Sequence, residues 1–157
     1  MYRMLIVDDE PLIANALFEV FQNLKSFDLD VYKAYSAESA LKWMEQTKIN
    51  IVMTDIRMPG MDGLQLLEKA RANWPECRMI LLTGFNEFDY VYTAIQHKNV
   101  RYLLKTEGYD RVIATVEEVV ADIEQSLKME DMIARANTSM SLASELLRKE
   151  YLMEVLK

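Results

Sequence analysis

Cysteine, histidine, positive charge and long apolar runs are what this chain has least of. Its 157 residues include one cysteine and one histidine. With Cys77 alone, neither an internal disulfide nor a cysteine metal site can form. Set between Glu76 and Arg78 at the start of an apolar run, it is expected to be a half-buried structural thiol. With His97 alone, there is no His/Cys cluster of the kind that favours zinc. No apolar run approaches membrane-spanning length, and Tyr2-Arg3-Met4-Leu5-Ile6-Val7-Asp8 lacks the basic-then-apolar layout of a signal peptide. The expectation is a cytoplasmic protein without a membrane partner. Lys and Arg number 18 against 25 Asp and Glu, a formal net charge of -7. This balance argues against the stretch holding nucleic acid by itself, because such binding rests on cations that neutralise phosphates.

What is present is ordinary for a soluble globular chain: 51% hydrophobic and 27% charged residues, at a length that allows one well-cored domain with something left over. The eleven methionines are scattered, which fits gap-filling in a core better than a binding surface.

The stretch that organises the chain is Ile51-Val52-Met53-Thr54-Asp55-Ile56-Arg57-Met58-Pro59-Gly60. Apolar residues lead into a single carboxylate and a Pro-Gly break follows, the pattern of a buried strand delivering Asp55 to its C-terminal edge. Met4-Leu5-Ile6-Val7 leads in the same way into Asp8-Asp9-Glu10. Pro11 then stands where a helix begins, with Leu12, Ile13, Ala16, Leu17, Val20, Phe21 and Leu24 as its expected apolar face. Leu29 to Tyr35 is a second strand, and Ser36 is placed to cap a helix burying Ala37, Ala40, Leu41 and Met44. Asn50 to Thr54 is the third strand; after the Pro59-Gly60 and Asp62-Gly63 turns a helix turns Leu64, Leu67 and Ala70 inward until Trp74-Pro75. Arg78 to Leu82 and Val100 to Leu104 are the fourth and fifth strands. A helix from about Glu87, carrying Val91, Ala94 and Ile95, lies between them, and the last helix starts near Tyr109.

Five continuous apolar strands alternating with five helices predict a parallel sheet covered on both faces, an α/β, flavodoxin-like (βα)5 three-layer sandwich. Right-handed crossovers leave few topologies, and strand order 2-1-3-4-5 puts the switch point beside strands 1 and 3, which carry both acidic clusters. From Tyr109 the helical pattern runs on. Val112, Ile113, Val116, Val119, Val120, Ile123 and Leu127 form one stripe, and Ile133, Ala136, Met140, Ala143 and Leu147 resume a 3-4 spacing. Asn137-Thr138-Ser139, poor helix formers, are expected to mark a break. Two readings stay open for this tail: a helix laid back along the domain, or a linker that pairs in a dimer and leads to another domain. Val155-Leu156-Lys157 ends an apolar-rich helix without a Gly or Pro stop, as a cut within a longer chain would.

Four strand ends on one rim carry Asp8-Asp9, Asp55, Thr83 and Lys105. Three clustered carboxylates repel one another and call for a cation, and oxygen ligands of this kind suit Mg²⁺, which takes one or two carboxylates plus waters and phosphate oxygens. Lys105 adds a point charge and Thr83 a hydroxyl, both suited to a phosphoryl group near Asp55. A carboxylate can itself attack phosphorus to give an aspartyl phosphate, a transfer governed by positioning and charge neutralisation.

On Leu5-Ile6-Val7-Asp8-Asp9-Glu10, Thr54-Asp55-Ile56-Arg57-Met58-Pro59-Gly60-Met61-Asp62-Gly63, Leu82-Thr83-Gly84 and Tyr102-Leu103-Leu104-Lys105, residues 1 to 125 resemble the receiver domain of two-component response regulators. The resemblance implies that Asp55 accepts phosphate from a phosphohistidine on a sensor histidine kinase. It implies that Asp9 and Asp55 bind Mg²⁺ directly, Asp8 through water and Arg57 through its backbone carbonyl, that Thr83 and Tyr102 are the switch pair, and that Lys105 contacts the phosphoryl group. Receivers usually follow that lysine with proline, often through a cis bond. Here Thr106 follows, so a trans bond and an altered loop are expected. Thr83-Gly84-Phe85-Asn86-Glu87-Phe88, Leu103-Leu104-Lys105-Thr106-Glu107-Gly108 and the helical tail resemble receivers of the AraC/YesN-type transcriptional regulators. There, residues 126 to 157 would be a helical linker or coiled-coil-like extension, homodimeric, leading to a helix-turn-helix output domain that alone contacts DNA. Such a domain is a phosphoacceptor rather than an enzyme, with at most slow self-dephosphorylation.

Two other classes compete. An aspartyl-phosphate phosphatase or phosphotransferase needs a substrate pocket and a second acid/base group, and His97, at an expected helix end, is poorly placed for that role. A receiver-like interaction module independent of phosphate would not need the intact set of Asp8, Asp9, Asp55, Thr83 and Lys105.

Overall fold

The computed structural model describes residues 1–25, 28–84 and 99–155. The expected helix from Glu87, with Val91, Ala94, Ile95 and His97, lies outside the described residues. Five strands, β1 (Tyr2–Val7), β2 (Leu29–Ala34), β3 (Ile51–Asp55), β4 (Arg78–Thr83) and β5 (Val100–Leu104), pair in parallel in the order β2-β1-β3-β4-β5. The helices are α1 (Pro11–Gln22), α2 (Ala37–Gln46), α3 (Gly63–Asn73) and the long α4 (Tyr109–Val155). A 3₁₀ turn, Lys105–Glu107, separates β5 from α4. The doubly wound, flavodoxin-like order expected from the alternating units is the observed one. The chain divides into two units, Met1–Glu117 and Glu118–Lys157.

In the first unit the central strands β1, β3 and β4 are buried because they are apolar on both pleat faces, while the edge strands β2 and β5, which carry Asp30, Lys33 and Arg101, are largely half-buried. Every residue of β3 is buried, and so are Met4 to Val7. Leu5, Val7, Val52, Met79 and Leu81 pack with Ala37, Ala40 and Met44 of α2 and Leu66, Leu67 and Ala70 of α3. The alternate residues Met4, Ile6, Met53 and Ile80, all fully buried, face the other side by the period of two. Ser36 caps α2 by accepting the Ser39 N–H at 3.1 Å. Asp62 and Gln65 form a reciprocal capping box at α3. The Asp-x-x-Gln spacing that signals the box is plain in the sequence.

The helix faces depart from the expected lists. α1 buries Ala14, Leu17 and Phe21, while Leu12 is 86% exposed. The stripe starts three residues inside the helix, and Leu12, one residue past the Pro11 entry, falls on the outer side of the first turn. α3 buries Gly63, Leu66, Leu67 and Ala70, so Leu66 joins the expected face while Leu64 packs half-buried against the same core. Cys77 is buried rather than half-buried; burial pushes its thiol up to about 12 against the opposing charge of Arg78.

The N-terminal edge of the sheet is stitched by two asparagines outside the strands. Asn50 donates its N–H to Arg3 O (2.9 Å), and its Oδ1 and carbonyl accept the N–H groups of Arg3 (2.8 Å) and Arg78 (2.9 Å). Asn99 accepts from Met79 N–H (2.9 Å) and the Arg78 guanidinium, and donates from Nδ2 to Pro75 O (3.1 Å). Buried backbone at a sheet end needs such partners.

α4 is one helix of 47 residues. The break expected at Asn137-Thr138-Ser139 is not there: the Thr138 hydroxyl donates to Ala134 O at 2.9 Å, the i−4 back-bond by which threonine stays inside a helix. Val112, Thr115 and Val116 are buried, whereas Leu127, Met129, Met132, Ile133 and Met140 are more than half exposed. The methionines thus divide: Met4, Met44, Met53, Met58 and Met79 fill the core, and Met129, Met132 and Met140 stand in solvent on α4. No described helix is long and apolar enough to cross a membrane.

The two α1 leucines give a direct check on this register. Leu17→Ala is expected to cost about 2–5 kcal/mol of unfolding free energy as a buried cavity, and Leu12→Ala to stay within about 0.5 kcal/mol. Urea unfolding followed by circular dichroism measures both; comparable losses would contradict the observed face.

Candidate phosphoacceptor and cation site

Because β1, β3, β4 and β5 are consecutive neighbours in a parallel sheet, their C-terminal ends form one rim. β1 delivers Asp8 and Asp9, Asp55 is the last residue of β3, Thr83 the last of β4, and Lys105 the first residue after β5. The structure thereby gathers the residues that the sequence pattern singled out.

One carboxylate oxygen from each of Asp8, Asp9 and Asp55 lies within 4.8 Å of the others. Asp8 and Asp55 are buried and Asp9 is half-buried. Asp8 is held by its own N–H donating to Ala34 O (3.2 Å) and by its Oδ1 accepting the Glu10 N–H (3.0 Å). Its other oxygen, Oδ2, is buried without a hydrogen-bond partner. Burial, with the negative charges of Asp55 and Asp9 behind it, raises the Asp8 carboxyl from 3.8 to about 6, against the lowering pull of the Glu10 N–H and Lys105. A hard cation fits these residues: the donors are all oxygen, they converge, and a buried carboxylate oxygen has no other partner.

Lys105 Nζ lies 2.9 Å from Asp55 Oδ2. Burial works against the ammonium form, but the hydrogen bond and charge of Asp55, with Asp8 and Glu10 adding to them, outweigh it and hold the lysine above its ordinary range. Asp55 Oδ1 accepts the N–H of Ile56 at 2.8 Å. Thr83 is fully buried, and its Oγ1 has no hydrogen-bond partner. Tyr102 is half-buried against the core, with its hydroxyl oxygen out of solvent. The Arg57 side chain is exposed.

Two features of the site were not foreseen from the sequence. Gly63 donates its N–H to Ile56 O at 2.8 Å, and a Cβ there would sit 2.2 Å from Asp55 O, so only glycine allows α3 to start directly behind the acidic strand end. The Thr54 hydroxyl, fully buried, donates to Asp55 O at 2.9 Å. After Lys105 no proline follows, and the described peptide bonds are all trans, that of Thr106 included. The loop is the 3₁₀ turn closed by Gly108 at φ +86°, a left-handed conformation suited to glycine.

In a doubly wound α/β domain the ligand crevice lies at the switch point of the carboxyl rim, and here that rim joins the acidic cluster to one lysine. The chain belongs to the response regulator receiver domain family, whose model matches residues 4–117. It is 33% identical over 125 residues to the transcriptional regulatory protein YesN of Bacillus subtilis, covering 80% of this chain and 34% of that protein. The chain thus spans about a third of that relative's length. Among solved structures, it superposes on a two-component transcriptional regulator AraC from Clostridium phytofermentans with TM-score 0.70 and 28% identity, over 80% of this chain and 97% of that one. It also superposes on the response regulator TrrA of Thermotoga maritima, solved with Mg²⁺ and BeF, with TM-score 0.64 and 28% identity, over 76% and 99% of the two chains.

The raised Asp8 carboxyl sets a pH dependence. In the ion-free chain the folded state keeps this proton up to about pH 6, while the unfolded state releases it near 3.8. Folded Asp8 therefore binds more protons across that window, and its contribution to stability falls as pH rises through it. The unfolding free energy of the parent minus that of Asp8→Asn is expected to decline between those values and then level off. Adding Mg²⁺ is expected to recover the loss in the parent alone. A difference flat in pH, measured by urea titration, would contradict the assignment.

Proposed function

We infer that this domain is a phosphorylation-dependent signalling switch in which Asp55 takes a phosphoryl group from a phosphohistidine of a sensor histidine kinase. The observation that carries the reading is the placement of one Asp55 oxygen 2.9 Å from Lys105 Nζ, in a carboxylate set converging within 4.8 Å. Asp55 Oδ2 attacks phosphorus, the bond from phosphorus to the donor imidazole nitrogen breaks, and its electron pair leaves with the imidazole. Lys105, already beside Oδ2, is placed to transfer its hydrogen bonds to the arriving phosphoryl oxygens. Asp8, Asp9, Asp55 and the Arg57 carbonyl would hold Mg²⁺, which supplies neutralising charge to those oxygens when bound. The cytoplasm, where a soluble kinase domain can reach the rim, is the matching location.

The acyl phosphate adds about 1.5 to 2 negative charges at the rim. Thr83 offers a buried hydroxyl without a partner, and its movement toward the phosphoryl group leaves space for Tyr102 to turn. The surface formed by the expected fourth helix, β5 and the start of α4 then changes shape. The receiver comprises residues 1–125 and the helical linker residues 126–157. The apolar residues Met129, Met132, Ile133 and Met140, 56–68% exposed along α4, support pairing of this helix with a second copy. The name of the Bacillus relative, of which this chain spans 34%, supports a transcriptional output domain as the part that meets DNA. The domain acts as an acceptor rather than an enzyme, a reading supported by its match to the receiver family and by the name of the Bacillus relative.

Acetyl phosphate with Mg²⁺ is expected to phosphorylate the parent and not Asp55→Asn, as read by intact mass. Beryllofluoride, a phosphoryl mimic, is expected to raise the molar mass in solution from monomer toward dimer. Equal labelling of the Asn variant would remove Asp55 as acceptor, and an unchanged mass would remove the coupling to dimerisation.

A further inference from the structure

One peptide unit, that between Asp55 and Ile56, is held at both of its polar ends. Its N–H donates to Asp55 Oδ1 at 2.8 Å, and its carbonyl accepts the Thr54 hydroxyl at 2.9 Å. Behind it the next peptide is tied down as well, since Ile56 O accepts the Gly63 N–H at 2.8 Å. The Gly63 backbone approaches so closely that a Cβ would lie 2.2 Å from Asp55 O and 2.9 Å from Ile56 Cα. The peptide therefore cannot retreat toward α3, and its remaining freedom is a tilt about the strand axis. Thr54 opposes that tilt.

The tilt matters because it decides which carboxylate oxygen is available. While the Ile56 N–H points at Oδ1, that oxygen holds one hydrogen bond and keeps a further lone pair, and Oδ2 is left to face Lys105 Nζ at 2.9 Å. The two oxygens of Asp55 are thus inequivalent before any ligand arrives. If the peptide tilts, the N–H leaves Oδ1, and the carboxylate is free to rotate about its χ2 torsion, which is a broad one for aspartate.

We propose that Thr54 is a positioning residue for phosphoryl transfer: its hydroxyl fixes the Asp55–Ile56 peptide, which reserves Oδ1 for the Ile56 N–H and presents Oδ2 as the attacking oxygen. The proposal rests on Asp55 being the phosphoacceptor. In the transfer, a lone pair of Oδ2 forms the O–P bond, and the bond from phosphorus to the donor breaks with its electron pair leaving on the donor. Oδ1 becomes the carbonyl oxygen of the acyl phosphate and keeps the Ile56 N–H throughout, so the hydrogen bond needs no rearrangement. Thr54 is 0% exposed, so bulk water does not replace its hydroxyl when that group is removed. A plain structural role is the competing account: the hydroxyl satisfies a strand end and stabilises the fold without bearing on the reaction.

The test uses the full chain and three substitutions. Thr54→Val keeps the shape and removes the hydroxyl; Thr54→Ser keeps the hydroxyl and removes the methyl; Thr54→Ala removes both. With acetyl phosphate and Mg²⁺ in excess, the rate of phosphoryl uptake is expected to fall roughly tenfold to a hundredfold in the Val variant and to be restored in Ser. If the Val variant does not fold, Ser against Ala isolates the same hydroxyl. A second readout needs neither ion nor donor: the Ile56 amide proton, bonded to a carboxylate, is expected to resonate downfield in the parent and Ser chains and to move upfield in Val. Uptake at the parental rate in Val, equal slowing in Ser and Ala, or an Ile56 amide indifferent to the hydroxyl would each overturn the proposal. A parent chain that takes up no phosphoryl group at all would instead overturn the acceptor reading on which it rests.

Discussion

The ion pair between Lys105 and Asp55, at 2.9 Å, is the contact around which the rim is balanced, and it is not enough alone. Two like charges at the 4.8 Å limit of this acidic cluster repel by roughly 3 kcal/mol even at an effective dielectric constant of about 20. One ammonium faces three such carboxylates. Burial first, with this repulsion added to it, raises the carboxyl of Asp8, the most deeply buried of them, to about 6. Among the described residues, folding has placed more negative charge at one sheet end than Lys105 offsets, and an acidic site in that condition attracts a metal ion or a second cation.

The sheet can carry this because its two ends do different work. At the N-terminal end, Asn50 and Asn99 satisfy backbone and guanidinium groups across neighbouring strands. Between the ends, the central strands β1, β3 and β4 are buried on both faces, so they have little freedom to slide in register. The C-terminal end is thereby left free to collect polar side chains at fixed positions. Parallel topology makes this division unavoidable: every strand exits on the same side, and the order β2-β1-β3-β4-β5 sets the acidic and basic exits next to one another.

Much of this was legible in the chain. Apolar runs ended by charge or by Pro and Gly located all five strands, and the rim residues followed from those ends, because a strand end is a place fixed by local pattern. What escaped depends on distance in three dimensions. Leu12 matches a helical period but not the phase that packing selects, and Leu66, absent from the expected face of α3, is buried there beside Leu67. The expected break at Thr138 rested on propensity, which a single back-bond to Ala134 O overrode. Gly63 and Thr54 read as a turn residue and a strand residue, and only the approach of α3 to β3 shows what each touches. Asn50 reads as the first residue of a strand; its place just outside, with three hydrogen bonds to Arg3 and Arg78, has no local signature.

The unpartnered Thr83 hydroxyl and Asp8 Oδ2 have an energetic implication of their own. Each is a buried polar atom lacking a hydrogen bond, a condition that costs about 1–3 kcal/mol for a neutral group and more for a charged one. An oxygen-rich guest bearing a cation would remove both deficits at once. Occupancy would then tighten the domain, so resistance to unfolding would rise and fall with the filling of this one cleft.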